Sequence, residues 1–278
     1  MVNRIACFLT CGYTEAGAMQ AFLRKINDSF EYKQYLPNRT IKKKGDPKNI
    51  SSSISGLTGE ALLEKIYNIL EKHSKEIAKC SAVLVEDDLD DRFFGWSDEQ
   101  VNSYNQNIID TIREKVGCDI PVFILYASPE IESWFVADWD NGFNYLYCES
   151  GFVTDVKIEA RKFFVHHLKK YIDKEILGEY CDAIESYGVI NGKYIKLSDQ
   201  LIKAIQYDSK KYIQSMSGTN KEYVNQIVDS RCLYYSKKLH GDAMLRNVLP
   251  QNIIKKCSNY FRNTYYELQK FEKRAYHQ

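Results

Sequence analysis

Charge of one sign is missing from this chain: 38 Lys and Arg stand against 37 Asp and Glu in 278 residues, a formal net charge of +1. No global field draws it to nucleic acid or an anionic membrane, so a polyanion has to be met by a local patch. No apolar run approaches the roughly 20 residues that cross a bilayer. The start Met1-Val2-Asn3-Arg4 also lacks the long apolar stretch of a secretory signal. The expectation is a cytoplasmic protein with no membrane partner. Eight cysteines, at positions 7, 11, 80, 118, 148, 181, 232 and 257, include no CxxC pair. Their scatter argues against a zinc knuckle and against a disulfide framework. A glycine turn near position 12 lacks the second glycine and the phosphate-cradling lysine of a P-loop, which excludes that motif.

What the chain does have is 44% hydrophobic residues, enough for one large domain or a domain with a substantial elaboration. The run Ile5 to Thr10 ends in Cys11-Gly12-Tyr13-Thr14-Glu15, and Ala18 to Ile26 then places apolar residues at helical spacing. Strand, glycine turn and helix open an α/β unit. From Lys33 to Gly56 the chain reads as an exposed polar loop, with Lys42, Lys43 and Lys44 in a row. Helical periodicity returns over Leu57 to Lys79 and over Asp98 to Val116. Two more short apolar runs, Ala82 to Val85 and Pro121 to Ala127, stand between and after these helices. Three such runs separated by helices predict a parallel, helix-covered sheet. Beyond Glu130 the pattern is mainly helical. Tyrosine is abundant there, 21 in the whole chain against 13 Phe and 3 Trp, which suits a polar helical region with an interaction surface.

Chemistry gathers where the second run ends. Glu86, Asp87, Asp88, Asp90 and Asp91 follow directly on an apolar strand, and charge packed there costs free energy unless it is compensated. In an open parallel sheet, ligands collect at the carboxyl ends of the strands. Hard oxygen ligands at such a place suit magnesium or manganese. A solvated acidic loop is the alternative. Glu15, in the first turn of the first helix, can reach the same end of the sheet or simply favour the helix dipole. After the third run comes Glu130-Ile131-Glu132-Ser133-Trp134-Phe135-Val136-Ala137-Asp138. Ile131, Trp134 and Phe135 share one helical face and predict core, while Glu132 and Asp138 lie at other angles that face either the strand ends or solvent, with surface the commoner outcome by geometry alone.

These blocks resemble a family of prokaryotic proteins related to the TOPRIM fold: Gly-x-Thr-Glu after one strand, aspartates after a second, and an Ile-Glu-x-Trp-x-x-Ala-Asp helix. Tyr235-Ser236-Lys237, His240-Gly241 and Cys257 to Phe261 are similar to the family's ending. The resemblance implies a TOPRIM-like, Rossmann-like α/β core over residues 1–140 and a mainly helical C-terminal region over 141–278. It implies Mg or Mn held for phosphodiester chemistry, with DNA or RNA as substrate. It also implies a setting in phage defence beside an ATPase partner. Carried over, Thr14 and Glu15 match the Thr-Glu pair, Asp88 and Asp90 the Asp-x-Asp, Glu132 the helix glutamate and Asp138 the Ala-Asp. Glu86 with Asp88 is the rival register for the metal pair.

The expectation is a metal-dependent nuclease in which Asp88, Asp90 and Glu132 hold metal and Glu15 positions or deprotonates the water. The charge-stabilising lysine would be Lys237 or Lys238, or come from the Lys42 to Lys44 run. One departure from the family stands out, because Cys11 occupies the place before the glycine where a glutamate is usual, and a thiol is a poor magnesium ligand. The alternative expectation is therefore a catalytically silent subunit that binds a partner ATPase or nucleic acid. Interleaved tyrosines and lysines at 207–212 and 234–238 would serve such stacking and phosphate contacts.

Overall fold

The computed structural model describes residues 3–10, 12, 14–37, 56–190, 192–216 and 220–272. Four strands form one parallel sheet: β1 (Arg4–Phe8), β2 (Glu31–Leu36), β3 (Ala82–Asp88) and β4 (Val122–Ala127), in the order β2-β1-β3-β4. The connecting helices are α1 (Glu15–Arg24), α2 (Gly59–Ile77) and α3 (Asp98–Val116). Ser97 and Gln100 form a reciprocal capping box at the start of α3, and Gly117 closes it at φ 77°. These local signals explain why its bounds agree with the periodicity. The sheet has one more strand than the apolar runs predict. Lys33 to Leu36 belongs to β2 rather than to a loop: this edge strand reads Glu-Tyr-Lys-Gln-Tyr-Leu, with only Tyr32 and Leu36 buried. An edge strand buries little, so its sequence carries little apolar signal.

Period-two alternation divides the sheet between two cores. Ala6, Phe8, Val83 and Val85 face Leu62, Ile66, Ile108 and Ile112 of α2 and α3. Ile5, Cys7, Ala82 and Leu84 face α1 and the second half of the chain. On this second face α4 (Glu132–Ala137) buries Trp134 and Phe135, as the shared helical face predicts. Further helices follow, among them α5 (Ile158–Tyr171), α6 (Lys237–Asn247) and α7 (Phe261–Lys270), together with a small hairpin of β5 (Val189–Ile190) and β6 (Lys193–Tyr194).

The second half of the chain shares this core with the first. Trp134 stacks on Phe22 of α1 at 5.0 Å between ring centroids and meets Phe261 of α7 edge-on at 4.9 Å. Lys25 donates to the carbonyl oxygens of Arg246, Asn247 and Val248, closing the end of α6. Thr264 of α7 donates to the Ile124 carbonyl on the open edge of β4. Among the described residues no helix is long and apolar enough to cross a membrane.

Candidate metal centre

In the order β2-β1-β3-β4 the chain leaves β1 toward one edge of the sheet and reaches β4 at the other, so the crevice lies at the carboxyl ends of β1 and β3. The sequence places acidic residues at that point. Glu86, Asp87 and Asp88 are the last three residues of β3, fully laddered to Leu125, Tyr126 and Ala127 of β4. Because successive strand residues point to opposite faces, Glu86 and Asp88 continue the face of Ala82 and Leu84. Asp87 turns toward α2, where it accepts from the Gly59 amide and pairs with Arg92 at 2.6 Å. The Thr10 amide, just past β1, donates to Glu86 Oε2 (3.0 Å), and the Ile131 amide donates to Asp88 Oδ1 (3.0 Å).

Glu15 enters from the first turn of α1. One oxygen from each of Glu15, Glu86 and Asp88 lies within 4.8 Å of the others, and all three residues are buried. Gly12 makes room for this: a Cβ there would sit 2.1 Å from Glu15 Oε2. An octahedral cation with bonds of about 2.1 Å places its ligand oxygens about 3 to 4.2 Å apart, a spacing comparable with the 4.8 Å within which the oxygens of the trio lie. Oε1 of Glu86 and both oxygens of Glu15 are buried without a well-formed hydrogen bond; the Gly12 and Glu15 amides lie near enough to the Glu15 carboxyl to oppose the burial-driven rise of its pKa but not to satisfy it. Buried carboxylate oxygens are seldom left so, and an ion is one of the few things that satisfies them. The trio could hold a metal ion.

Beside the trio, Glu132 of α4 is fully buried. Its Oε1 accepts from the Tyr235 hydroxyl (2.9 Å) and its Oε2 from Lys237 Nζ (3.1 Å). Lys237 Nζ also lies 3.6 Å from Asp88 Oδ2. Glu130 is held by the amide and hydroxyl of Ser198. Burial pushes the Glu15 carboxyl up to about 7, with Lys237 opposing and Glu132 adding to the rise. Burial and the neighbouring carboxylates raise Glu86 and Asp88 well above the ordinary range. At Lys237, burial pulls downward, but Glu132, Asp88, Glu15 and Glu130 outweigh it and hold the ammonium protonated.

Of the residues singled out in the sequence, the structure brings together Glu15, Glu86 and Asp88, with Glu132 and Lys237 alongside. It does not bring in Asp90 or Asp138. Asp90 stands beyond the end of β3 at φ 52°, with its carboxylate on the Tyr194 hydroxyl (2.9 Å) and near Lys196 (3.8 Å). The strand runs to Asp88, which makes Glu86 with Asp88 the pair on one face. Asp138 is buried rather than on the surface, and both its oxygens are taken, by Asn141, Asn252 and the Leu249 amide. It ties the end of α4 to the segment after α6. Cys11 and Lys42 to Lys44 lie outside the described residues. Thr10 and Glu130 carry no role in the sequence, and Tyr235, grouped there with the stacking residues of 234–238, is instead buried with its hydroxyl on Glu132. Thr10 has no acidic signature, and Tyr235 gains its role only by lying opposite Glu132.

Asp138→Ala is expected to destabilise the fold by about 3 kcal/mol, since it leaves a half-buried amide and two carboxamides without their acceptor. Metal affinity should stay unchanged. Denaturant unfolding and Mn2+ titration of the same variant check this, and a variant that stays stable but no longer binds Mn2+ would contradict the assignment.

A cavity of about 580 Å³ between α3, β4 and α7, lined by Asn105, Tyr126, Tyr260 and Asn263 among others, shares no residue with the acidic trio. The chemistry of the buried carboxylates, not cavity size, therefore locates the site. No family model, curated protein or solved structure matches the chain.

Proposed function

We propose that the protein is a magnesium- or manganese-dependent nuclease whose metal is held by Glu15, Glu86 and Asp88. The observation that carries this reading is the set of buried, partnerless oxygens on Glu15 and Glu86, at the place in an open α/β sheet where ligands bind. A small, hard divalent cation suits an all-carboxylate site. When bound, such an ion polarises a phosphate oxygen and makes a bound water more acidic.

The chain's own groups then have distinct work. The Thr10 and Ile131 amides fix the orientation of Glu86 and Asp88. Glu15 positions the attacking water or takes its proton. Lys237, kept charged by its carboxylate neighbours, faces the negative charge that develops on the phosphoryl group. Tyr235 holds Glu132, and Glu132 holds Lys237. DNA or RNA as substrate, an ATPase partner and a place in phage defence come from the family resemblance.

One observation favours the silent-subunit reading: Cys11 stands where the family has a glutamate. The two readings separate in one assay. Purified protein is incubated with single- and double-stranded DNA and RNA and with Mg2+ or Mn2+, with and without the product of the neighbouring gene. Cleavage that EDTA stops and that Asp88→Ala removes supports the enzyme. Absence of cleavage under every condition, with cutting gained on Cys11→Glu, would identify a decayed enzyme that serves as a binding subunit.

A further inference from the structure

We infer that Lys237 stands in the place of a second metal ion, so that the centre combines one divalent cation with one fixed ammonium. This rests on the metal reading of Glu15, Glu86 and Asp88 and specifies the ion count of that site. Among the described residues, the buried carboxylates here fall into two groups. Glu15 and Glu86 keep oxygens without a partner. Glu132 does not, since it receives Tyr235 and Lys237. Asp88 belongs to both groups: a member of the trio, its Oδ1 receives the Ile131 amide and its Oδ2 lies 3.6 Å from Lys237 Nζ. One half of the cluster still calls for a cation, and the other half already has one.

Two-ion phosphoryl-transfer centres hold their ions about 3.5 to 4 Å apart, which calls for one carboxylate between the ions and another on the far side of the second. Asp88 of the trio and the neighbouring Glu132 are the carboxylates that would serve such a second ion, and Nζ of Lys237 lies against both, 3.1 Å from Glu132 Oε2 and 3.6 Å from Asp88 Oδ2. The position is built rather than incidental. Lys237 is the first residue of α6, the end of a helix where a positive charge is disfavoured by the dipole, so the carboxylates and not the helix account for it.

Three further contacts fix the approach of that end. The Ser236 amide donates to His240 Nδ1 (3.2 Å), and the Tyr147 hydroxyl donates to the Tyr234 carbonyl (3.0 Å). Gly241 lets α6 press against α1, since a Cβ there would sit 2.1 Å from Thr14 Oγ1. An ammonium exchanges no ligands and activates no water, but it offers hydrogen bonds to phosphate oxygens. Water activation therefore falls to the single ion, and the lysine is left to bind phosphate.

Mn2+ titration of the full chain, followed by calorimetry and electron paramagnetic resonance, tests this. The expected stoichiometry is one ion in the wild type and in Lys237→Arg. Lys237→Gln, which removes the charge at similar length, is expected to take two ions and to show coupling between them. Glu132→Gln tests the same claim without emptying the lysine position. Because Glu132 does not bind the ion, affinity should change by about threefold or less, whereas loss of a ligand would cost about a hundredfold or more. Two ions in the wild type, a single ion in a folded Lys237→Gln, or a large affinity loss in Glu132→Gln would each overturn the inference. If the wild type binds no Mn2+ at all, the metal reading of the trio falls, and this inference with it.

Discussion

Glu86→Gln is expected to abolish divalent-cation binding and to lower metal-dependent cleavage by about a thousandfold or more, a loss of about 4 kcal/mol in transition-state stabilisation. The amide keeps the shape of the side chain, and its oxygen can still accept from the Thr10 amide that now meets Oε2. What disappears is the negative charge, which the metal requires and the metal-free fold disfavours. Glu86 is fully buried with Oε1 unpartnered, and burial with the adjacent charges of Glu15 and Asp88 raises its pKa well above the ordinary range. Metal-free Glu86→Gln should therefore be as stable as the wild type or more stable, while the rise in Tm on adding Mn2+ vanishes. Groups set at odds with folding in this way are characteristic of functional sites. Thermal melts with EDTA and with Mn2+, beside a cleavage assay, decide the point. If the variant melts well below the metal-free wild type, the loss of activity reflects unfolding and Glu86 is a structural carboxylate. Asp88→Asn should lose the metal as well, but it also weakens the contact with Lys237, so its stability is the less clean readout.

A pH series on the metal-free protein should give the second large effect. The Glu15 carboxyl moves from 4.5 in the unfolded chain to about 7 in the fold, chiefly through burial. Between those values the folded state holds a proton that the unfolded chain releases. Stability is therefore complete below about 4.5, declines as pH rises and levels off above about 7. For Glu15 alone the loss amounts to about 3 kcal/mol, and Glu86 and Asp88 shift in the same direction. Exposed carboxylates beside cations, such as Glu76 near Lys33 and Glu222 near Lys157, are held below the ordinary range. They act in a more acidic window and with the opposite sign. A divalent cation competes with protons for the trio, so Mn2+ should raise Tm little at pH 5 and most at pH 8. Denaturant unfolding with EDTA and with Mn2+ from pH 5 to 8 measures both curves. Metal-free stability that climbs steadily through this range would show that the trio does not carry buried charge.

Much of the fold was written in local pattern. The apolar runs at 5–10, 82–85 and 121–127 and the helical periods between them required a parallel sheet, and three of its four strands lie there. β2 escaped because an edge strand with only two of its six side chains buried has little apolar pattern to read. Glu15 and the acids ending β3 were visible as charge placed where strands stop. The choice among those acids was not, since it depends on where β3 ends. Extension of the ladder through Asp88 puts Glu86 and Asp88 on one face and leaves Asp90 outside.

The sequence alone determined an α/β chain with acidic residues at the carboxyl ends of its strands, because periodicity and the order of strand, turn and helix are properties of neighbouring residues. Tertiary structure alone decided which carboxylates converge. It separated Asp138, saturated by Asn141, Asn252 and Leu249, from Glu15 and Glu86, which still have buried oxygens free. It also carried Lys237 across the chain to Glu132 and Asp88. The physical reason is that a carboxylate's chemistry depends on which donors lie within about 3 Å of it, and residues more than a hundred positions apart in the chain supply those donors only once the core has packed.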